Sequence, residues 1–394
     1  MGYGHNCLNS FNRKPKARAS KTRLDIVSES RARLWLAVKR RIARKESAVD
    51  EQDCDSACLV TGGAGFIGAH VVRELLRRPE LNGARIVVLD DLSGGFVENL
   101  PNDPRLVFTE GSVTDTPFVD RLFEQHDFPY VWHLAAYAAE GLSHFIRRFN
   151  YENNLLGSVN LINACVRHRT RRFVFTSSIA VYGSGQVPMT EDLAPSPEDP
   201  YGIAKYAVEL DLRAAHELFG LEYTIFRPHN VYGEYQNIGD RYRNVIGIFM
   251  NCLMQGRPLP VFGTGEQQRA FSYVGDIAPR LAAAPFVAGT TNETFNVGAD
   301  RPLSINELVR VVASAFGVEP RIEHLPPRVE VDKAWADHSK CSRIFGPHDE
   351  TSIEEGVKRM AEWARVTGPR RSGEFSNIEL RDRLPPSWAG VVQP

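Results

Sequence analysis

The chain has 394 residues, enough for a sizeable core, and 43% of them are apolar. Its formal net charge of −1 hides an asymmetry: residues 1–45 carry 13 Lys and Arg against two acids, a balance of +11, so the remainder carries −12. An acidic body argues against a nucleic-acid groove, no stretch reaches the ~20 apolar residues of a membrane span, and the scattered cysteines Cys7, Cys54, Cys58, Cys165, Cys252 and Cys341 form neither a zinc pattern nor a disulfide framework.

Residues 1–52 are basic and acid-poor. Within them Leu34, Trp35, Val38 and Ile42 share one side of a notional helix, with Arg33, Arg40, Arg41 and Arg44 roughly opposite. Three readings stay open for this extension: a solvated disordered segment, an organelle transit peptide and a membrane-surface helix. Asn6 stands where a myristoylation signal needs Ser or Thr. The cysteine usage suits a reduced, cytoplasmic protein.

From about residue 53, apolar strand-like runs alternate with amphipathic helix patterns, which is the signature of an α/β, doubly wound parallel sheet. Strands are expected over Ala57–Thr61, Arg85–Asp90, Leu106–Glu110, Tyr130–Leu134, Arg172–Thr176 and Tyr223–Arg227. Helices are expected over Ala69–Arg78, Pro117–Glu124, Asn150–Arg167 and Lys205–Leu218, with two shorter ones at Val245–Gln255 and Ile305–Phe316. Residues 53–228, with parts of 265–300, form one domain in this reading. Residues 229–264 and 301–368 form a smaller lobe, and 369–394, with four prolines, a loose tail.

The most informative stretch is Thr61-Gly62-Gly63-Ala64-Gly65-Phe66-Ile67-Gly68, between the first strand and the first helix. A glycine-rich strand-to-helix turn lets backbone N–H groups and the positive end of a helix approach a pyrophosphate. The second strand ends in Asp90, where a carboxylate accepts hydrogen bonds from an adenosine ribose and repels a 2′-phosphate. The cofactor expected is therefore NAD rather than NADP. Asp91 adds to that charge.

Tyr201 and Lys205 stand four residues apart on one face of a helix, and the hydroxyl cluster Thr176-Ser177-Ser178 ends a strand. Tyrosine, with pKa ~10, is a poor base at neutral pH. A nearby ammonium and the positive nicotinamide ring of NAD⁺ favour its phenolate.

With the glycine turn, the elements Thr176-Ser177-Ser178-Ile179-Ala180-Val181-Tyr182-Gly183 and Tyr201-Gly202-Ile203-Ala204-Lys205 resemble the extended short-chain dehydrogenase/reductase superfamily. Within it the likeness is to the nucleotide-sugar epimerases and dehydratases, over about residues 58–368. The resemblance implies a Rossmann domain with a smaller substrate lobe, and Ser178, Tyr201 and Lys205 as catalytic residues. Ser177 is the neighbour most easily confused with Ser178. It implies cofactor contacts from Gly62, Gly65, Phe66, Ile67, Gly68, Asp90, Asp91, Val113, Ala135, Tyr201 and Lys205. Ser112 replaces the usual Asp on the adenine amine. For the sugar nucleotide it implies Ser178, Asn230, Asn244, Val245, Phe262 and Arg269, together with Arg328, whose spacing is one residue short. No metal is implied. A homodimer through the helices 150–167 and 205–218 is.

After Ser178 the related dehydratases carry acids, and GDP-mannose 3,5-epimerases carry a cysteine. Ile179 and Ala180 can move no proton. That points to oxidation and re-reduction at C4 of a UDP-hexose. Glu140 falls near the sugar, where relatives have small or apolar residues. It serves either as an acid/base for C5 chemistry (a 5-epimerase, dehydratase or decarboxylase) or as a structural partner of Arg147, Arg148 or another base that orders the loop. A non-catalytic NAD-binding protein on the same fold is the third reading.

Overall fold

This computed structural model describes residues 57–327, 331–347, 349–371, 375, 378–385 and 388. The basic extension 1–52 and Arg328 lie outside the described residues. The expected strands form as β1 (Ala57–Thr61), β2 (Arg85–Asp90), β3 (Leu106–Glu110), β4 (Tyr130–His133), β5 (Arg172–Thr176) and β6 (Tyr223–Pro228). Shorter strands follow: β7 (Val231–Tyr232), β8 (Leu259–Phe262), β9 (Gln268–Ala270), β10 (Ser272–Tyr273), β11 (Glu293–Val297), β12 (Pro302–Ser304), β13 (Ile322–Leu325) and β14 (Lys333–Ala334).

The main sheet has the order β11-β6-β5-β4-β1-β2-β3, and all its pairings are parallel. The strand order reverses between β1 and β4, and the crevice beyond their carboxyl ends is where such sheets bind ligands. Side chains alternate along each strand. Cys58, Val60, Val88, Trp132 and Val174 face one side, against α1 (Phe66–Arg77) and, through Leu281, the later helix Val274–Ala283. Leu59, Val87, Val131, Phe173 and Phe175 face the other. There they meet α2 (Thr116–Gln125), and Leu161, Cys165, Val208 and Leu212 from further helices described next. Each large apolar side chain buried this way is worth about 1.5–3 kcal/mol. Trp132 also satisfies its indole N–H on the Leu281 carbonyl at 2.8 Å.

The expected single helix over 150–167 is instead three pieces. After α3 (Glu140–Ser143) come α4 (Arg147–Tyr151), a π-turn over Glu152–Leu156, and α5 (Gly157–Arg167). The 20-residue α6 (Pro200–Phe219) is started by Pro200 and by the Asp199 carboxylate, which accepts from Tyr201 N and Gly202 N at 2.9 and 3.0 Å. The remaining helices are α7 (Val245–Met254), α8 (Val274–Ala283), α9 (Ile305–Phe316), α10 (Ser339–Phe345) and α11 (Ile353–Thr367). The smaller lobe pairs β8 with β13 and arranges β12-β9-β14, beside α7, α9 and α11.

The tail expected to be loose is docked where it is described. Trp388, Phe375, Ile378 and Leu384 join Leu142, Ile146 and Phe149 in one apolar cluster. The Glu379 carboxylate accepts from Arg148 N and Phe149 N, at 2.9 Å each. Prolines stop regular structure here but do not stop burial of the aromatic residues between them. Among the described residues, no helix is long and apolar enough to cross a membrane, and no cluster of metal-ligating side chains occurs.

Candidate active site

At the end of β1 the chain turns at Gly62, whose φ is +69°. A Cβ on Gly62 would lie 2.6 Å from Ala135 N, so only glycine lets this turn meet the segment after β4. At Gly68 a Cβ would strike the Gly62 carbonyl, so glycine also brings α1 onto the turn. Asp90 closes the cradle from the next strand, accepting from Ala64 N at 3.0 Å and Leu92 N at 2.8 Å. Burial pushes its carboxyl above the usual range, with Asp91 adding to the rise, and these N–H groups partly hold it down.

A cavity of about 1060 Å³ extends from this cradle to the smaller lobe. It brings together Gly62, Gly65, Phe66, Ile67, Gly68, Asp90, Asp91, Val113 and Ala135 with Glu140, Ser178, Tyr201, Lys205, Asn230, Asn244, Val245, Phe262 and Arg269. Ser112 is not in its wall: its hydroxyl pairs with Thr114 at 2.9 Å, and Gly111 and Val113 form the wall instead.

Tyr201 and Lys205 lie in the first turns of α6, where Asp199 and Pro200 fix them. Lys205 is buried, donates to the Thr176 carbonyl at 2.7 Å and lies 4.7 Å from the Phe175 ring centre. Burial pulls its ammonium down to about 7, against the charge of Glu209. Burial raises the Tyr201 phenol, a hydrogen bond with Ser178 offsets this, Asp199 and Glu140 raise it further, and Arg243 lowers it. Desolvation is the largest of these influences.

Ser178 and Ser177 separate cleanly. The Ser178 Oγ accepts from Ala180 N at 3.1 Å and borders the cavity, in contact with Tyr201. The Ser177 hydroxyl donates to the fully buried Glu209 at 2.6 Å. Glu209 in turn receives Arg227 Nε at 2.9 Å, and Arg227 Nη1 donates to Tyr182 at 2.7 Å. Behind Lys205, His133 is locked between Thr61 and Ser158, and burial drops its imidazole to about 3. It is a neutral spacer.

On the smaller lobe, Asn230 has φ +40° and gives one amide proton to the Ala270 carbonyl at 3.0 Å, which leaves its second for a ligand. Arg269 donates to the carbonyls of Gln268, Val331 and Asp332 at the cavity edge. Asn244, at φ +61°, precedes α7.

The sequence matches the NAD dependent epimerase/dehydratase family over residues 58–298. The chain belongs to that family. A putative UDP-glucose 4-epimerase of Methanocaldococcus jannaschii is 32% identical over 78% of this chain and 98% of that protein. Among solved structures, the UDP-glucose 4-epimerase of Thermotoga maritima with UDP-glucose is 35% identical, covering 79% of this chain and 99% of that one, with a TM-score of 0.74. The UDP-glucose 4-epimerase of Thermus thermophilus in complex with NAD is 30% identical, covering 78% and 99%, with a TM-score of 0.72. dTDP-glucose 4,6-dehydratases are also similar.

The protein is an NAD-dependent enzyme, and its residues fit NAD. Gly62 and Gly65 line the cavity at the strand-to-helix turn, the Asp90 carboxylate lines it from the next strand, and the buried Thr176 Oγ1 in its wall has no hydrogen-bond partner among the described residues. Sequence reasoning missed Tyr137, Asp240 and Arg243, which line the same cavity. The signal available was the dense charge of Asp240-Arg241-Tyr242-Arg243 inside a loop otherwise poor in charge.

Proposed function

We propose that this enzyme is a nucleotide-sugar 4-epimerase acting on a UDP-hexose. The observation that carries the proposal is the meeting of Tyr201, Ser178 and Lys205 at one end of the cavity, with Ile179 and Ala180 where dehydratases place acids. NAD supplies the hydride acceptor and donor. Ser178 holds the C4 hydroxyl by a hydrogen bond while Tyr201 removes its proton. The resulting 4-keto sugar turns within the cavity, and the proton returns from the same pair as the C4 hydrogen is restored on the other face. Asn230, Asn244, Val245, Phe262 and Arg269 hold the nucleoside diphosphate, with Arg269 supplying positive charge at the cavity edge. Residues 53–228 with parts of 265–300 carry the cofactor, and 229–264 with 301–368 carry the substrate.

We further propose a homodimer through the helices 150–167 and α6, on which Leu156, Ile203 and Leu210 are 53%, 40% and 46% exposed. Cys58, Cys165, Cys252 and Cys341 are buried and free, which suits a reducing compartment. Glu140 favours a second reading, proton transfer at C5, because it is a carboxylate in the cavity close enough to raise Tyr201.

The test is Tyr201→Phe. Turnover should fall by at least about 1000-fold while sugar-nucleotide affinity stays within about tenfold, the pattern of a group needed in the transition state. Full activity in that variant refutes the mechanism.

A further inference from the structure

The loop before α7 brings into the cavity wall an arginine to which the mechanism above assigns nothing. Arg243 is held by Asp240, with Nε at 2.7 Å and Nη2 at 2.6 Å from the same carboxylate oxygen. Its guanidinium lies over the Tyr137 ring, 4.6 Å from the centroid, and the side chain is only 16% exposed. Asp240 occupies the Nε–Nη2 edge of the fork, and among the described residues nothing accepts from Nη1. A charged donor this far from solvent costs free energy until an acceptor meets it. The outer edge of the fork is therefore built for a ligand.

The neighbouring loop says which ligand. A Cβ on Gly94 would lie 3.2 Å from Arg243 Nη2, and a Cβ on Gly95 would lie 2.9 Å from Gly65 N in the glycine-rich turn. Phe96 N donates to the Ala64 carbonyl at 3.0 Å. Asn99 Nδ2 reaches the same carbonyl at 2.9 Å and the Tyr235 carbonyl at 3.4 Å. The loop after Asp90 is thus a thin spacer, with the turn against one glycine and the guanidinium against the next. Gly65, Gly94, Gly95 and Arg243 all border the cavity. The acids at this end, Asp90 and Asp91, oppose the negative charge of a pyrophosphate, and the N–H groups of the turn carry no net charge. Of the other lysines and arginines lining the cavity, Lys205 donates to the Thr176 carbonyl, and Arg269 and Lys333 stand on the paired strands β9 and β14. We propose that Arg243 binds the pyrophosphate of NAD, its planar fork supplying the positive charge that the glycine turn lacks. The assignment goes beyond the C4 chemistry and holds whichever sugar is turned over.

The test compares ligands that carry the pyrophosphate with one that does not, on the full-length protein. Arg243→Gln should weaken NAD and ADP-ribose by about tenfold or more, the worth of a charged hydrogen bond, and leave adenosine within about twofold. Arg243→Lys should fall between, because an ammonium keeps the charge and loses the fork. Affinity for UDP with NAD saturating, and the unfolding temperature, are measured alongside and should not move. Unchanged NAD and ADP-ribose affinities overturn the proposal. So does an equal loss for adenosine, or unfolding of both variants, either of which leaves Arg243 a structural residue of the Tyr137 wall. Weaker UDP binding with NAD unaffected overturns it too, and moves the guanidinium to the diphosphate of the substrate. None of these measurements uses turnover, so a failure of the Tyr201 mechanism is seen separately.

Discussion

The buried ion pair behind α6 makes a quantitative claim about stability. Glu209 is fully buried, and Arg227 is 2% exposed. Arg227 gives two charged hydrogen bonds to the carboxylate, Nε at 2.9 Å and Nη2 at 2.5 Å. Arg227→Met removes both and strands the carboxylate with the Ser177 hydroxyl at 2.6 Å and the half-exposed Arg213 at 4.0 Å. Breaking a buried pair by deleting one partner costs about 3–5 kcal/mol. Because Ser177 and Arg213 remain, we expect the lower end, about 3 kcal/mol. At about 2–4 °C per kcal/mol for a domain of this size class, Tm should fall by about 6–12 °C. The assay is thermal unfolding followed by circular dichroism at pH 7, with NAD saturating. Glu209→Leu combined with Arg227→Met removes both charges and should regain at least half of the loss. A single variant within about 1 kcal/mol of the wild type, or a double variant less stable than the single, would refute the reasoning.

Asp90→Ala should weaken NAD binding and reduce discrimination against NADP by roughly tenfold or more, read as the ratio of the two dissociation constants. A wild-type protein that binds NADP more tightly than NAD contradicts the role of Asp90. Lys205→Met should abolish turnover yet raise the stability of the NAD-free protein, on the order of 1 kcal/mol, because a buried amine is replaced by an apolar chain. The sign follows from its pKa, lowered from 10.5 to about 7. The folded state holds fewer protons there than the unfolded one, so the burial penalty is full below pH 7 and fades as pH rises towards 10.5. The gain in Lys205→Met should therefore be largest below pH 7 and shrink as pH rises from 7 towards 10.5. A gain that grows with pH would show that Lys205 is not held near neutrality.

The sheet was legible because its first six strands are short apolar runs bounded by polar turns, a pattern that needs no tertiary information. The seventh, β11, was not, since Glu293-Thr294-Phe295-Asn296-Val297 alternates with polar residues. Asn296 is nonetheless buried, satisfied by the Tyr182 hydroxyl and the Met189 carbonyl at 2.8 and 3.0 Å. The glycine turn, Asp90 and the Tyr201–Lys205 spacing were readable because each is a local pattern. Arg243 and the docking of Trp388 against Gly141 were not. Both depend on segments far apart in sequence meeting at one wall. The balance of pKa shifts at Tyr201 was equally out of reach, because desolvation is a property of the packed state.

The central claim, epimerisation through C4, is tested most directly by turnover of UDP-glucose and UDP-galactose in D₂O with product analysis by NMR and mass spectrometry. A 4-epimerase returns the same hydrogen to C4, so the product should be the unlabelled C4 epimer. Deuterium at C5, or loss of water, that disappears in Glu140→Gln would contradict the account and assign the chemistry to Glu140 instead.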